Sequence, residues 1–148
     1  FNNFSKNWKY LEDQGIITNQ EYINATFTQH YRTVEEFRAP FDNKDSAISK
    51  SGLILKSCET MITECPYKIH YFNNKNTMSP QDYAKTLIPT MRSWSETVFR
   101  NALVDRTEKE MNEIVDKFYN LYIDEVSNDP EGHAMDYVHV IMDIEKVY

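Results

Sequence analysis

Four histidines, His30, His70, His133 and His139, and two cysteines, Cys58 and Cys65, are the side chains of this chain best suited to ligate a metal or attack an electrophile. No two of the histidines stand at the i, i+4 spacing that would put both on one side of a helix, and the cysteines lack the CxxC spacing of a metal hairpin. No serine has the GxSxG surroundings of a nucleophile elbow. The adjacent acids Glu35 and Glu36 point to different sides of a helix, which makes them capping and solvating charges and not an acid/base dyad. Gly15, Gly52 and Gly132 stand apart from one another, whereas phosphate-cradling and dinucleotide turns need clustered glycines. The remaining resource is a stock of large soft side chains: eight Phe, ten Tyr, two Trp and six Met. Such residues enclose planar ligands by dispersion and ring-edge contacts, and Phe27, Tyr31, Met91, Trp94 and Tyr137 lie near segment ends, where pocket walls are made. Most such residues are ordinary core, so composition and spacing alone do not say what the protein does. They favour no metal site and no nucleophile, and leave an apolar small-molecule pocket as a hypothesis that needs an independent pointer.

The elements that must position these residues are legible from caps and periodicity. Phe4, Trp8 and Leu11 recur at helical spacing, predicting a helix over Ser5–Gln14 with Ser5 as cap and Gly15 at the left-handed stop. Thr18-Asn19-Gln20-Glu21 and Thr33-Val34-Glu35-Glu36 have the capping-box form. The first heads a turn of helix through Ala25; the second starts a helix expected to end before Pro40, and Phe27–Arg32 between them reads as loop. Gly52–Ile62 mixes β-branched residues with partial alternation and predicts a strand. Tyr67–Phe72 alternates likewise and is expected to pair with it.

Ser79-Pro80-Gln81-Asp82 combines a serine cap, a proline at the first helical position and an acid three residues after the cap. It opens a helix whose stripe is Tyr83, Leu87, Met91, Trp94 and Val98, kinked at Pro89. Thr107-Glu108-Lys109-Glu110 caps the next helix, with Met111, Ile114, Val115, Phe118, Leu121, Tyr122 and Val126 facing inward, and these two helices should form the core pair. Asp136–Lys146 alternates Val138, Val140, Met142 and Ile144 against mostly polar neighbours, the pattern of a strand. A terminal strand that is apolar on one side needs a sheet to join, and two weak partners are a meagre one.

With 148 residues, 41% of them hydrophobic, the chain has the size of one domain with a real core. Its fold class is expected to be α+β, mainly helical with a small antiparallel sheet. Sixteen bases against twenty-three acids leave a net charge of -7, which repels phosphate backbones and argues against a nucleic-acid partner. Much of that excess falls between Asp105 and Glu131, on the second long helix, as a solvated acidic face. No window approaches eighteen unbroken apolar residues and the start is polar, so neither a membrane partner nor a signal peptide is expected. Reduced cysteines and a cytoplasmic location follow as the default.

Taken in order, several segments resemble the C-terminal half of the SABATH methyltransferases, which methylate salicylic, benzoic and jasmonic acids and xanthine alkaloids from S-adenosylmethionine. Tyr10–Ile17 is similar to the family's helix ending in an EGLI-type turn. Tyr31-Arg32-Thr33-Val34-Glu35-Glu36 resembles its P-Y-Y-x-P-S-x-E-E-V segment without the prolines. Leu53–Met61 resembles the strand that follows, with Glu59 at its acidic position. Met91-Arg92-Ser93-Trp94-Ser95-Glu96 resembles the M-R-A-V-x-E-P pattern, with Thr97 in place of the proline. Ile114-Val115-Asp116-Lys117-Phe118-Tyr119 is similar to the family's I-I-D-x-L-F helix, and Tyr137–Lys146 to its closing strand.

The resemblance implies that residues 1–148 are a helical, substrate-binding cap with one terminal strand of a larger sheet. The N-terminal Rossmann-like domain that binds the cofactor S-adenosylmethionine would lie outside this sequence. It implies acceptor contacts from Phe1, Tyr31, Met91, Trp94 and Tyr137, a small-molecule carboxylate as acceptor, and inactivity of the cap by itself; a homodimer is left open. An N-methyltransferase of the same family is the nearest variant. The alternative from another class is a free-standing α+β interaction module that docks a basic partner on its acidic helix.

Overall fold

The computed structural model describes residues 2–27 and 30–147, apart from the side chain of Asn2. The fold is α+β, mainly helical, with one two-stranded antiparallel sheet among the described residues. Two compact units divide the chain: a helical unit from residues 1–28 and 66–135, and a second unit from residues 29–65 and 136–148.

The helical unit contains α1 (Asn2–Asp13), α2 (Asn19–Asn24), α5 (Pro66–Asn73), α6 (Pro80–Ala102) and α7 (Glu108–Asn128). The core pair is α6 packed on α7, with α1 against α7 and α2 and α5 against α6. Capping boxes at Thr18, Ser79 and Thr107 are all made, each hydroxyl accepting from the N3 backbone N–H while the N3 acid accepts from the cap. Gly15 ends α1 at φ 66°, as a left-handed stop requires. The helix begins a turn earlier than a Ser5 cap would place it, because Phe4 is 2% exposed on the same stripe as Trp8 and Leu11.

Tyr67–Phe72 is not a strand: it lies in α5. Pro66 at the first helical position presets φ, and in a helix Tyr67 and Tyr71 fall one turn apart toward α6. The Tyr67 hydroxyl accepts from Thr90 Oγ1 at 3.0 Å, and the Tyr71 ring stacks on Tyr83 with centroids 5.0 Å apart. Six residues of alternation cannot separate the two periods; the tertiary contacts decide.

The stripe of α6 also departs from expectation beyond Met91. The buried row continues at strict i+4 spacing through Tyr83, Leu87, Met91, Ser95 and Phe99, leaving Trp94 exposed and Val98 half-buried. Ser95 tolerates the core because its hydroxyl donates to the Met91 carbonyl at 2.6 Å and accepts from the Tyr119 hydroxyl at 2.7 Å. Helical structure runs on through Pro89, which lies on the exposed side. On α7 the stripe is as expected at Ile114, Val115, Phe118, Tyr122 and Val126, with Tyr119 added and Met111 and Leu121 half-buried.

The second unit contains α3 (Val34–Asp42), α4 (Ala47–Lys50), β1 (Leu53–Thr63) and β2 (Tyr137–Lys146). The helix capped by Thr33 does not stop before Pro40; α3 carries the proline in its last turn and closes with Asn43 N–H on the Ala39 carbonyl at 3.2 Å. A proline there removes one helical bond, to the carbonyl of Glu36, and Glu36 is an exposed residue. α3 and α4 lie against β1.

β1 and β2 pair antiparallel from Leu53↔Lys146 to Thr63↔Tyr137, with a bulge between Leu55 and Ser57. Residues directly opposite share a face, so Leu53, Leu55, Cys58, Thr60 and Ile62 lie on one face with Val138, Val140, Met142 and Ile144. All the half-buried residues of the ribbon belong to that face. Ile62 and Val138, directly opposite each other, are 63% and 68% exposed.

Candidate functional site

Phe4 is the centre of an aromatic cluster in the helical unit. Sequence places it on the first turn of α1, and the amphipathic stripe of that helix turns it inward against α6 and α7. Around its ring stand Phe27 at 5.6 Å and nearly parallel, Trp94 at 5.8 Å, Phe99 at 5.6 Å, Tyr122 at 5.4 Å and Phe118 at 6.0 Å. Phe27 follows the end of α2 and also meets Trp94 edge-on at 6.4 Å. Each such pair contributes about 0.5–1.5 kcal/mol beyond its area burial.

Trp94 differs from the rest of this cluster in being 41% exposed. Its indole is braced by Phe4 and Phe27, and Met91, one turn back on α6, is at the border of burial at 9%. Three segments thus bring an indole and two phenyl rings together: the start of α1, the residues after α2, and the middle of α6. Apolar walls of this composition hold flat organic molecules by dispersion and edge contacts, and carry no acid, base or nucleophile.

Of the acceptor residues implied by the resemblance, Met91 and Trp94 are brought together here. Tyr31 and Tyr137 belong to the second unit. Tyr31, 71% exposed, precedes α3, and Tyr137, 50% exposed, opens β2 with its ring stacked on His139 at 6.2 Å. Phe1 lies outside the described residues. Sequence reading put Phe4 on the stripe of a short helix, and named Phe27 among the aromatics near segment ends without placing it in the acceptor set. The available signal was an aromatic residue just past a short capped helix, which periodicity does not weigh.

Behind the wall, Tyr119 is the buried hydroxyl of the α6–α7 interface, and burial pushes its pKa up to about 12. The Arg92 guanidinium sits 5.1 Å from the Tyr119 ring and is tethered by Glu96 at 2.6 Å and Asp116 at 2.7 Å. Below the cluster, the Tyr83 hydroxyl donates to the His133 carbonyl at 2.8 Å, and His133 Nδ1 lies 3.3 Å from Asn3 Nδ2. These are interior polar groups with partners, positioned to hold helices together.

The acidic stretch from Asp105 to Glu131 is largely answered within the chain. Glu108 pairs with Arg100, Asp116 with Arg92, Glu125 with Lys6 and Glu131 with Lys75, while Glu110 serves its own cap. Among the described residues no group of three or more His, Cys, Asp or Glu side chains could hold a metal ion. No helix of the described residues is long and apolar enough to cross a membrane.

The glycines do not fit a nucleoside-binding turn. Gly15 ends a helix, Gly52 at φ 76° leads into β1 against the Val147 carbonyl, and Gly132 sits over the Asp129 carboxylate, which accepts from its N–H at 3.0 Å. No protein-family model matches the chain, and no curated protein matches it.

Proposed function

We propose that this chain is the acceptor-binding cap of an S-adenosylmethionine-dependent methyltransferase that methylates a small carboxylic acid in the cytoplasm. The observation that carries the reading is the exposed indole of Trp94, held by Phe4 and Phe27 beside Met91. The indole is held by two rings while 41% of it stays exposed, the arrangement of a binding wall. Met91 and Trp94 are also two of the positions at which the resemblance expects acceptor contact, as are Tyr31 and Tyr137 in the second unit.

The ribbon gives independent support. Its two strands among the described residues leave Ile62 and Val138 largely exposed on one face, as suits the outer strands of a larger sheet. Donor binding would then fall to a domain whose sheet β1 and β2 extend.

The task left to these residues is modest. A carboxylate is ionised near neutral pH, so its methylation needs no general base. It needs the oxygen held in line with the methyl carbon in a site closed to water, and rigid apolar walls do both. Titration calorimetry of the full-length protein with S-adenosylmethionine, followed by a methyl-transfer screen of aromatic and aliphatic acids, tests the reading. Transfer to a carboxylate is the expected result; failure to bind the donor, or transfer to no acid in the screen, overturns it. The 148 residues by themselves should transfer no methyl group.

A further inference from the structure

We infer that Phe27 is a specificity-determining residue of the acceptor wall and that Phe4 is the positioning residue which sets both Phe27 and Trp94. This rests on the cap reading and goes beyond it, because neither residue is among the contacts implied by the resemblance.

Three observations carry it. Phe27 is half-buried, and its ring lies offset and nearly parallel to Phe4, with centroids 5.6 Å apart and an interplanar angle of 13°. The same ring meets Trp94 at 72° and Phe99 at 66°, which fixes its tilt from two further directions. Phe4, 2% exposed, touches both Phe27 and Trp94 and cannot itself reach a ligand from that depth. A ring pinned on three sides and held edge-on to an exposed indole makes a corner with two aromatic planes. Such a corner recognises a flat, π-bearing acid by ring contacts that an aliphatic acid of similar size cannot make.

The geometry also separates the two roles. Shortening Phe27 removes one plane of the corner. Shortening Phe4 leaves both planes present and frees their orientation, which acts on fit without deleting a contact.

The test compares Phe27→Leu, Phe4→Leu and the wild type in the full-length protein, with benzoate as the flat acid and hexanoate as the aliphatic one. Phe27→Leu is expected to raise KM for benzoate about threefold to tenfold while KM for hexanoate and kcat hold, since one ring contact is worth that factor. Phe4→Leu is expected to shift the same ratio in the same direction. In the 148-residue chain it should also raise acrylamide quenching of Trp94, the tryptophan that quencher reaches, since Trp8 is 2% exposed.

Phe4→Met is the milder second variant should leucine prevent folding, and a shifted acid ratio with a wild-type melting temperature supports the positioning role. Equal changes for both acids, or an unchanged ratio with only a lowered melting temperature, reduce Phe4 and Phe27 to core packing and overturn the inference while leaving the cap reading intact. Transfer to neither acid nor to any other carboxylate removes the cap reading, and this inference with it.

Discussion

Glu21 and Arg106, 85 positions apart, form a forked ion pair: Nε donates to Oε1 at 2.7 Å and one terminal guanidinium nitrogen to Oε2 at 2.9 Å. The same arginine donates to the Ile16 carbonyl at 3.3 Å, while the Glu21 carboxylate also closes the α2 capping box on Thr18 N–H at 2.7 Å. One buried acid thus ties the α1–α2 turn to the residue that precedes the cap of α7.

Glu21→Gln should therefore lower stability by about 2 kcal/mol, the usual cost of leaving one partner of a sheltered charge pair unanswered. The hydrogen bonds from Arg106 hold the Glu21 carboxyl below the ordinary carboxylate range. A depressed folded-state pKa means the contribution is complete above the unfolded carboxyl value and is lost as pH falls through the folded one. Melting curves taken from about pH 6 down to pH 3 should show an acid-side loss in the wild type that is smaller in Glu21→Gln. Parallel curves would show that the pair does not couple to folding.

The Ser95–Tyr119 contact predicts an asymmetry between two deletions. Tyr119→Phe leaves Ser95 its bond to the Met91 carbonyl and should cost about 1 kcal/mol. Ser95→Ala strands a buried phenol and should cost more, about 2 kcal/mol. Urea unfolding of both variants measures the order, and the reverse order would mean that Tyr119 finds water in the folded state. Ultraviolet titration should find Tyr119 ionising after the exposed tyrosines, at about 12.

Two glycines at positive φ should respond differently to alanine. Gly15 has open space where a Cβ would go, so Gly15→Ala pays only the left-handed backbone term of about 1 kcal/mol. At Gly52 the same atom would run into the Val147 carbonyl, whose N–H donates to the Gly52 carbonyl at 2.8 Å. Gly52→Ala should cost clearly more than Gly15→Ala and should raise amide exchange at the Gly52 end of the ribbon; equal costs would refute the steric account.

Ile62 and Val138 face each other on the ribbon, both largely exposed. Changing both to threonine keeps β-branching while removing the apolar patch. Self-association by sedimentation and binding of a hydrophobic dye should fall, with the unfolding midpoint changed by less than about 0.5 kcal/mol equivalent. Unchanged dye binding would place the sticky surface elsewhere.

The capping boxes at Thr18, Thr33, Ser79 and Thr107 were legible because each is a local exchange of two bonds within four residues. The long stripe of α7 and the pairing-competent alternation of β2 were legible for the same reason, since period is a local property. Tyr67–Phe72 was misread because six residues fit either period and the deciding contacts, to Thr90 and Tyr83, come from another helix. Trp94 and Ser95 were exchanged in the stripe of α6 because hydrophobicity ranks tryptophan above serine, while the fold satisfies the serine with two hydrogen bonds. Most hidden was the corner at Phe4: it joins residues 4, 27 and 94, and no pattern along the chain links those three positions. Met91 and Trp94 came from the resemblance; their aromatic support came only with coordinates.

The bulge at Lys56 acts as a phase shifter in β1. Before it the odd-numbered positions Leu53 and Leu55 face the same way as the even-numbered Cys58, Thr60 and Ile62 after it, because the bulge leaves one extra residue out of the ladder and so holds the two half-strands in step. Lys56 itself reaches back to pair with Glu145, so the extra residue is anchored and not merely tolerated. Deleting that single lysine would make Leu55 and Ser57 consecutive and leave every pair in place, whereas forcing Lys56 into the ladder would turn one half of the strand inside out relative to the other.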